Sequence, residues 1–479
     1  MATGCFENGE MGRASGVLLH PTSLPGPHGV GDLGPEAYRF VDWLASEGQR
    51  VWQVLPVGPV GYGESPYASF SAFAGNPLLI HVEDAGEAPA FAEDRVEYER
   101  VVPWKMEALR RAWRPGSSGA GPAWLDAFAR FMALKVANGG VSWKEWDPSI
   151  EADPEEIEFQ RFLQTEFMRQ WCALKRYAND RGIRIMGDVP IYVAMDSADV
   201  WAQPELFRFD VVSGVPPDYF SATGQLWGNP IYRWDRMEAE GYSWWIERMR
   251  TALETFDFVR MDHFRGFEAY WEVPASEETA EHGRWVKGPG ARLFRALERA
   301  LGKLPIVAEN LGVITPEVEA IRDEFGFPGM AVLQFAFGND PQAPTFQPHN
   351  YPRNVAAYTG THDNDTAMGW WRSEGGDSVR TTEDIEREKD KARAYLGAGG
   401  QGPGAGDQDR APMNLVMIRE LMKSVADTVV FPMQDVLGLG SEARMNTPSV
   451  ASGNWRWRMT RAQWEKAPKL REMVELYQR

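Results

Sequence analysis

The chain has 479 residues, 43% of them hydrophobic, and a formal net charge of −18. This much apolar content supports a sizeable core and excludes a disordered chain. So acidic a chain, with no Lys/Arg cluster, argues against nucleic-acid partners and against docking on anionic membranes. Two cysteines, Cys5 and Cys172, give neither a disulfide framework nor a CxxC pair. That points to a reducing, cytoplasmic setting. No run of 18 apolar residues offers a membrane span, and residues 1–16 lack the apolar stretch of a secretory signal.

Taken in chain order, short apolar runs alternate with amphipathic helical patterns. Residues 15–20 (SGVLLH) read as a strand and 35–47 as a helix. Residues 50–57 (RVWQVLPV) are the next strand. A long helix around 158–181 precedes a strand at 183–191 (IRIMGDVPI), and a helix at 243–256 precedes one at 257–264 (DFVRMDHF). The pattern repeats with a helix at 291–301 and a strand at 304–310 (LPIVAEN), then a helix at 316–325 and a strand at 330–335 (MAVLQF). A strand at 355–361 (VAAYTGT), a helix at 413–425 and a strand at 428–433 (TVVFPM) close the series. Strands that are apolar throughout and separated by helices pair in parallel and are buried on both faces. Eight such units suggest a (β/α)8 barrel; a doubly wound open sheet is the alternative. The glycines at 58, 61 and 63 open no helix, so a dinucleotide-binding loop is rejected. Three stretches look inserted into a single 1–479 barrel, at about 83–153, 208–235 and 373–409. The second reads as a Pro/Gly/aromatic loop. The residues after the last strand leave little room for a C-terminal β-domain.

Active sites of such barrels lie at the C-terminal ends of the strands. The polar residues that end the apolar runs are Asp188, Arg260, Asp262, Glu309, His362 and Asp363. One carboxylate at a strand end is ordinarily a cap or an ion-pair partner. Several on one rim, beside Arg and His, suit retaining glycosyl transfer, which needs a nucleophilic carboxylate and a second carboxyl that donates and recovers a proton. Arg260 stands two residues before Asp262, on the same strand face, and a cation there favours an ionised nucleophile. Apolar Ile306, Val307 and Ala308 precede Glu309, which suits a raised pKa and a general acid. Asp363 with His362 would grip the sugar and oppose the oxocarbenium charge. No His/Asp/Glu spacing suggests a catalytic metal, and the chemistry asks for no cofactor. The 20 tryptophans serve either core packing or stacking on sugar faces.

At these residues the chain resembles the 4-α-glucanotransferases, also called amylomaltases, of the α-amylase clan. The resemblance runs from LLHPTSLPGPHGVGDLG through GYGESPYASFSAFAGNP, VPPDYFSATGQLWGNP, VRMDHFRG and YTGTHDNDT to GNWRWR. It implies a barrel with inserted subdomains and no C-terminal β-domain. It implies Asp262 as nucleophile, Glu309 as acid/base and Asp363 as transition-state stabiliser. Arg260 and His362 match residues around the reacting sugar. Tyr67, with Ser65 in the same SPY motif, matches the donor side. Asp218, Gln225 and Trp227 match a loop over the acceptor groove, and Asn446 and Pro448 lie where a second loop meets it. The implied reaction passes a maltodextrin segment, held on Asp262, to the 4-OH of another glucan or of glucose. The alternatives are an α-amylase-like hydrolase and a catalytically silent glucan-binding scaffold. A monomer or weak homodimer is expected. Where the family commonly has AEDLG, this chain has AENLG, with Asn310 beside the acid, and Met261 replaces a branched residue before the nucleophile. Tyr62 reads as a remote glucan contact or a loop anchor. Asp188 and Asp196 read as sugar contacts or loop caps, and His20 as holding the first loop by hydrogen bonding.

Overall fold

The computed structural model describes residues 13–116, 121–217, 221, 223–374, 381–397 and 411–479. Among these are twelve strands. Eight form one parallel sheet: β1 (Ala14–Leu18), β2 (Val51–Gln53), β3 (Arg184–Val189), β6 (Phe258–Met261), β9 (Ile306–Ala308), β10 (Gly329–Val332), β11 (Val355–Tyr358) and β12 (Thr428–Pro432). Their spatial order, β10-β11-β12-β1-β2-β3-β6-β9, is the chain order of a barrel cut open between β9 and β10. At that seam the backbone of Ala308 donates to Pro328 O at 2.8 Å. The Asn310 side chain supplies the next link, its Oδ1 accepting from Met330 N at 2.8 Å. Gly329 makes this approach possible, because a Cβ there would lie 2.8 Å from Asn310 Oδ1. The barrel is thus nearly closed, and a side chain completes its last ladder.

These strands are short because every position is used for burial: all residues of β1, β6, β10, β11 and β12 are buried. The helices between them are amphipathic and stop at recognisable signals. The helix Ala291–Leu301 turns Leu293, Phe294, Ala296 and Leu297 inward and ends at Gly302 with φ 81°, a value suited to glycine. The helix Pro154–Asp180 starts at Asp153, whose side chain accepts from Glu155 N. No helix among the described residues is long and apolar enough to cross a membrane.

The other four strands make a separate antiparallel sheet, β5-β4-β7-β8: β4 (Phe207–Val215), β5 (Gln225–Tyr232), β7 (Ala269–Pro274) and β8 (Arg284–Lys287). One hairpin leaves the C-terminal end of β3 and the other that of β6, so this sheet stands over the rim. The stretch 208–235, expected to be a loop, is therefore largely a hairpin. Gly214, Gly228 and Pro230 lie within its strands, and register shifts between Arg208, Val212 and Gly214 blur the two-residue alternation by which a strand is recognised. Within 83–153 lie the helices Tyr98–Ala112 and Ala123–Ala137. Parts of 373–409 lie outside the described residues. No strand follows β12 among the described residues; the tail folds back, with Leu470 N on Glu47 Oε2 at 2.7 Å.

Candidate active site

Arg260 organises the rim. It lies on β6 with 5% of its side chain exposed, and its Nη1 reaches Asp188 Oδ2 at 2.7 Å and Asp262 Oδ1 at 2.8 Å. Asp188 is the last residue but one of β3, the neighbour of β6, and the register pairs it with Arg260. One buried guanidinium thus spans two carboxylates from adjacent strands. Asp188 is fully covered, whereas a quarter of Asp262 faces the cleft. Burial, reinforced by the charge of Asp262, pushes Asp188 up to about 6 against the pull of Arg260. Tyr67 donates to Asp188 Oδ2 at 2.8 Å. Burial pushes its phenol well above the usual range, so it stays a donor. Its ring stacks on that of His362 with centroids 5.0 Å apart and planes 17° apart.

Glu309 follows β9, the other neighbour of β6. Its Oε2 accepts from His263 N at 2.7 Å and its Oε1 from Leu311 N at 3.2 Å. Burial, with the nearby charge of Asp262, raises its carboxyl to about 8 despite Arg260 and those two N–H donors. The shift favours the protonated carboxyl at neutral pH. Asp363, beyond β11, is the opposite case. Desolvation works against its charge, but His362, Asn446 and Arg260 outweigh it and hold the carboxyl below the usual range. His362 Nε2 lies 3.3 Å from Asp363 Oδ2, and Asn446 Nδ2 donates to Oδ1 at 2.6 Å. Arg444 ties both segments together, donating to Asp363 O at 2.7 Å and Asn446 O at 2.8 Å.

Asp262, Glu309, Asp363, Arg260, His362, Tyr67 and Asn446 therefore lie in one connected array. Ser65 stands one step away, its hydroxyl accepting from Tyr67 N at 3.2 Å. Gln225 and Trp227 lie on β5, over the rim. Trp227 Nε1 donates to Gln225 Oε1 at 3.1 Å, and its ring meets that of His263 edge-on at 4.8 Å. Asp218 lies outside the described residues. Tyr62 is 85% exposed and apart from the array. Asp196 is engaged structurally by Lys135 Nζ at 2.5 Å and Trp143 N at 3.1 Å. Asp188 proves to be the partner of Arg260 and Tyr67. His20 holds the first loop through its carbonyl, which accepts from Ser23 N at 2.9 Å; its buried Nδ1 meets no partner among the described residues. Two cavities flank the array. One runs under His362, and the other lies behind Tyr67 and Asp188. Among the described residues His28, Asp32 and His81 are grouped like metal ligands. The buried ammonium of Lys105, 3.2 Å from Asp32 Oδ2, already supplies a cation there.

Sequence reasoning did not single out Arg444 or His263. Arg444 stands two residues before Asn446, and His263 is inside the VRMDHFRG motif, so position relative to a motif was the available signal.

A family model described as 4-alpha-glucanotransferase matches residues 19–463. The 4-alpha-glucanotransferase of Thermus thermophilus is 50% identical, covering 98% of this chain and all of its own. That of Synechocystis is 47% identical over 93% of this chain and 94% of its own. Among solved structures, an amylomaltase from Streptococcus agalactiae in complex with acarbose superposes with a TM-score of 0.85 at 36% identity, covering 98% of this chain and 99% of that one.

Proposed function

The chain belongs to the 4-alpha-glucanotransferase family, and on that premise we propose how its rim residues divide the transfer of an α-1,4-glucan segment from one chain to another. The observation that carries the reading is the contrast between two neighbouring carboxyls. Asp262 is paired with a buried guanidinium, while Glu309, on the next strand, is raised to about 8. At neutral pH Glu309 is protonated. It gives that proton to the glycosidic oxygen as Asp262 attacks the anomeric carbon, and the leaving chain departs with the proton. In the resulting glycosyl–Asp262 ester the charge of Asp262 is gone. One of the influences raising Glu309 disappears with it, so Glu309 becomes the base that takes the proton of an incoming 4-OH. The new chain then displaces Asp262 with net retention. Asp363, held ionised by His362 and Asn446, opposes the oxocarbenium charge in both steps. Tyr67 and His362 present a stacked pair to the donor sugar. Gln225 and Trp227, with Asp218, hold the acceptor and keep water from competing with it.

The substrates in this reading are maltodextrins and other α-glucans, and one catalytic barrel with its insertions does the work. Two cysteines and an acidic surface suit a cytoplasmic monomer or weak homodimer. Incubation with maltotriose tests the reading. Glucose and a ladder of longer maltodextrins are expected; a steady rise in reducing ends would favour a hydrolase. Asp262→Asn is expected to cost roughly 10⁴-fold or more in kcat, the scale of losing a covalent nucleophile, while maltodextrin binding measured by calorimetry persists. The alkaline limb of kcat/KM is expected near pH 8, because the proton that Glu309 donates is lost as pH rises through its pKa.

A further inference from the structure

His263 follows Asp262 directly and occupies the left-handed region, at φ 48° and ψ 51°. A non-glycine residue there is strained unless its surroundings hold it, and such residues gather at functional sites. Here the surroundings are explicit. Asp262 N donates to Val189 O at 3.0 Å, Phe264 N to Glu309 O at 3.1 Å, and Glu309 N to Met261 O at 3.0 Å. The left-handed turn points the His263 N–H at Glu309 Oε2, 2.7 Å away. The side chain looks the other way, to the ring of Trp227 at 4.8 Å and 85°. Gly266 leaves room for the ring, since a Cβ there would come within 3.1 Å of His263 Cδ2. Burial lowers the imidazole to about 4, against the charge of Asp262 and with that of Arg265. At working pH the ring is neutral and adds no cation beside the nucleophile.

Building on the reading above, we propose that His263 is a positioning residue for both halves of the reaction: its left-handed backbone aims the N–H that orients the Glu309 carboxyl, and its ring is the perch on which Trp227 holds the acceptor groove. The seating of the acceptor and the setting of the acid/base then pass through one residue. The backbone bond favours the ionised form of Glu309, so its loss raises that carboxyl further. The ring contact leaves Glu309 alone and affects which nucleophile, sugar or water, resolves the intermediate.

A pair of variants separates the two roles, because both lack the ring and only one tolerates the turn. His263→Gly keeps the left-handed backbone; His263→Val, β-branched, opposes it. The pH dependence of kcat/KM on maltotriose and the ratio of transfer to hydrolysis are measured for both. His263→Val is expected to move the alkaline limb upward by about half a pH unit or more, while His263→Gly leaves it at the wild-type position. Both are expected to lower the transfer-to-hydrolysis ratio several-fold. A purely structural role would lower the melting temperature and leave both readouts unchanged. Coincident limbs for the two variants, or a wild-type product ratio in both, would overturn the proposal. If His263→Val does not fold, His263→Ala carries the backbone arm with a smaller shift in the same direction. Glu309→Gln with maltotriose and with α-maltosyl fluoride, whose leaving group needs no proton, runs alongside. Full activity of Glu309→Gln on maltotriose would defeat the assignment of Glu309 itself. Selective loss on maltotriose, with coincident His263 limbs, would defeat only the role of His263.

Discussion

On one side of Asp262 the rim is a web of charge-assisted bonds: Arg260 to two carboxylates, Tyr67 to Asp188, and His362, Asn446 and Arg444 to Asp363 or its backbone. On the other side stand Gln225 and Trp227, on a hairpin with shifted register, and Trp227 is 37% exposed and held by ring contacts, edge-on to His263 at 4.8 Å and tilted to Tyr192 at 6.4 Å, and by the Gln225 side chain. In the proposed reading the difference follows from what each side must do. Where charge develops on the sugar ring, groups fixed in advance cost no reorganisation at the moment of reaction. Where a leaving chain must depart and another of different length must enter, a lightly held surface accommodates both.

The comparison breaks most visibly at Arg260. Arg260→Met leaves the wholly covered Asp188 without its cation. Removing one partner of a buried pair costs about 3–5 kcal/mol, so chemical denaturation should show a loss of that order along with lost transfer. A loss below about 1 kcal/mol would mean the web is not a stability element. Next comes Trp227→Ala. Removal of the ring that stacks on the acceptor sugar in this reading, worth about 1 kcal/mol, is expected to raise the acceptor KM roughly fivefold and to shift products toward hydrolysis, with a stability loss of no more than about 1 kcal/mol from the lost His263 and Tyr192 contacts. An equal fall in donor cleavage would erase the distinction between the two sides. The smallest effect is expected at the seam, from Asn310→Asp. The Asn310 amide donates to Glu319 Oε1 at 2.8 Å while its oxygen accepts from Met330 N. A carboxylate keeps the second bond and sets like charges together at the first. Thermal unfolding should register a loss of about 1 kcal/mol, and the added negative charge beside Glu309 should move the alkaline limb slightly upward.

The eight barrel strands were legible because each is apolar from end to end, and the rim residues because they interrupt such runs at one end. Asp188, Asp262, Glu309 and Asp363 follow from that one rule. It does not show which carboxylates share Arg260, since β3 and β6 are 72 residues apart at the Asp188–Arg260 contact and only the register unites them. The antiparallel sheet was missed because Gly228 and Pro230 interrupt β5, and only three of its eight residues are buried. His263 was missed because its role lies in a backbone angle that the residue name does not encode. Arg444 works through backbone carbonyls, which every residue carries. Asn310 stood out against the AEDLG pattern that the family resemblance implies, and its place at the barrel seam supplies a physical context for it.

The division of labour between Asp262 and Glu309 is tested most directly by trapping the intermediate. In Glu309→Gln given α-maltosyl fluoride, the ester should form without an acid and then persist for want of a base. Mass spectrometry of the digested protein should find one maltosyl increment, on the peptide carrying Asp262. An increment on another carboxylate, or rapid turnover with no adduct, would contradict it.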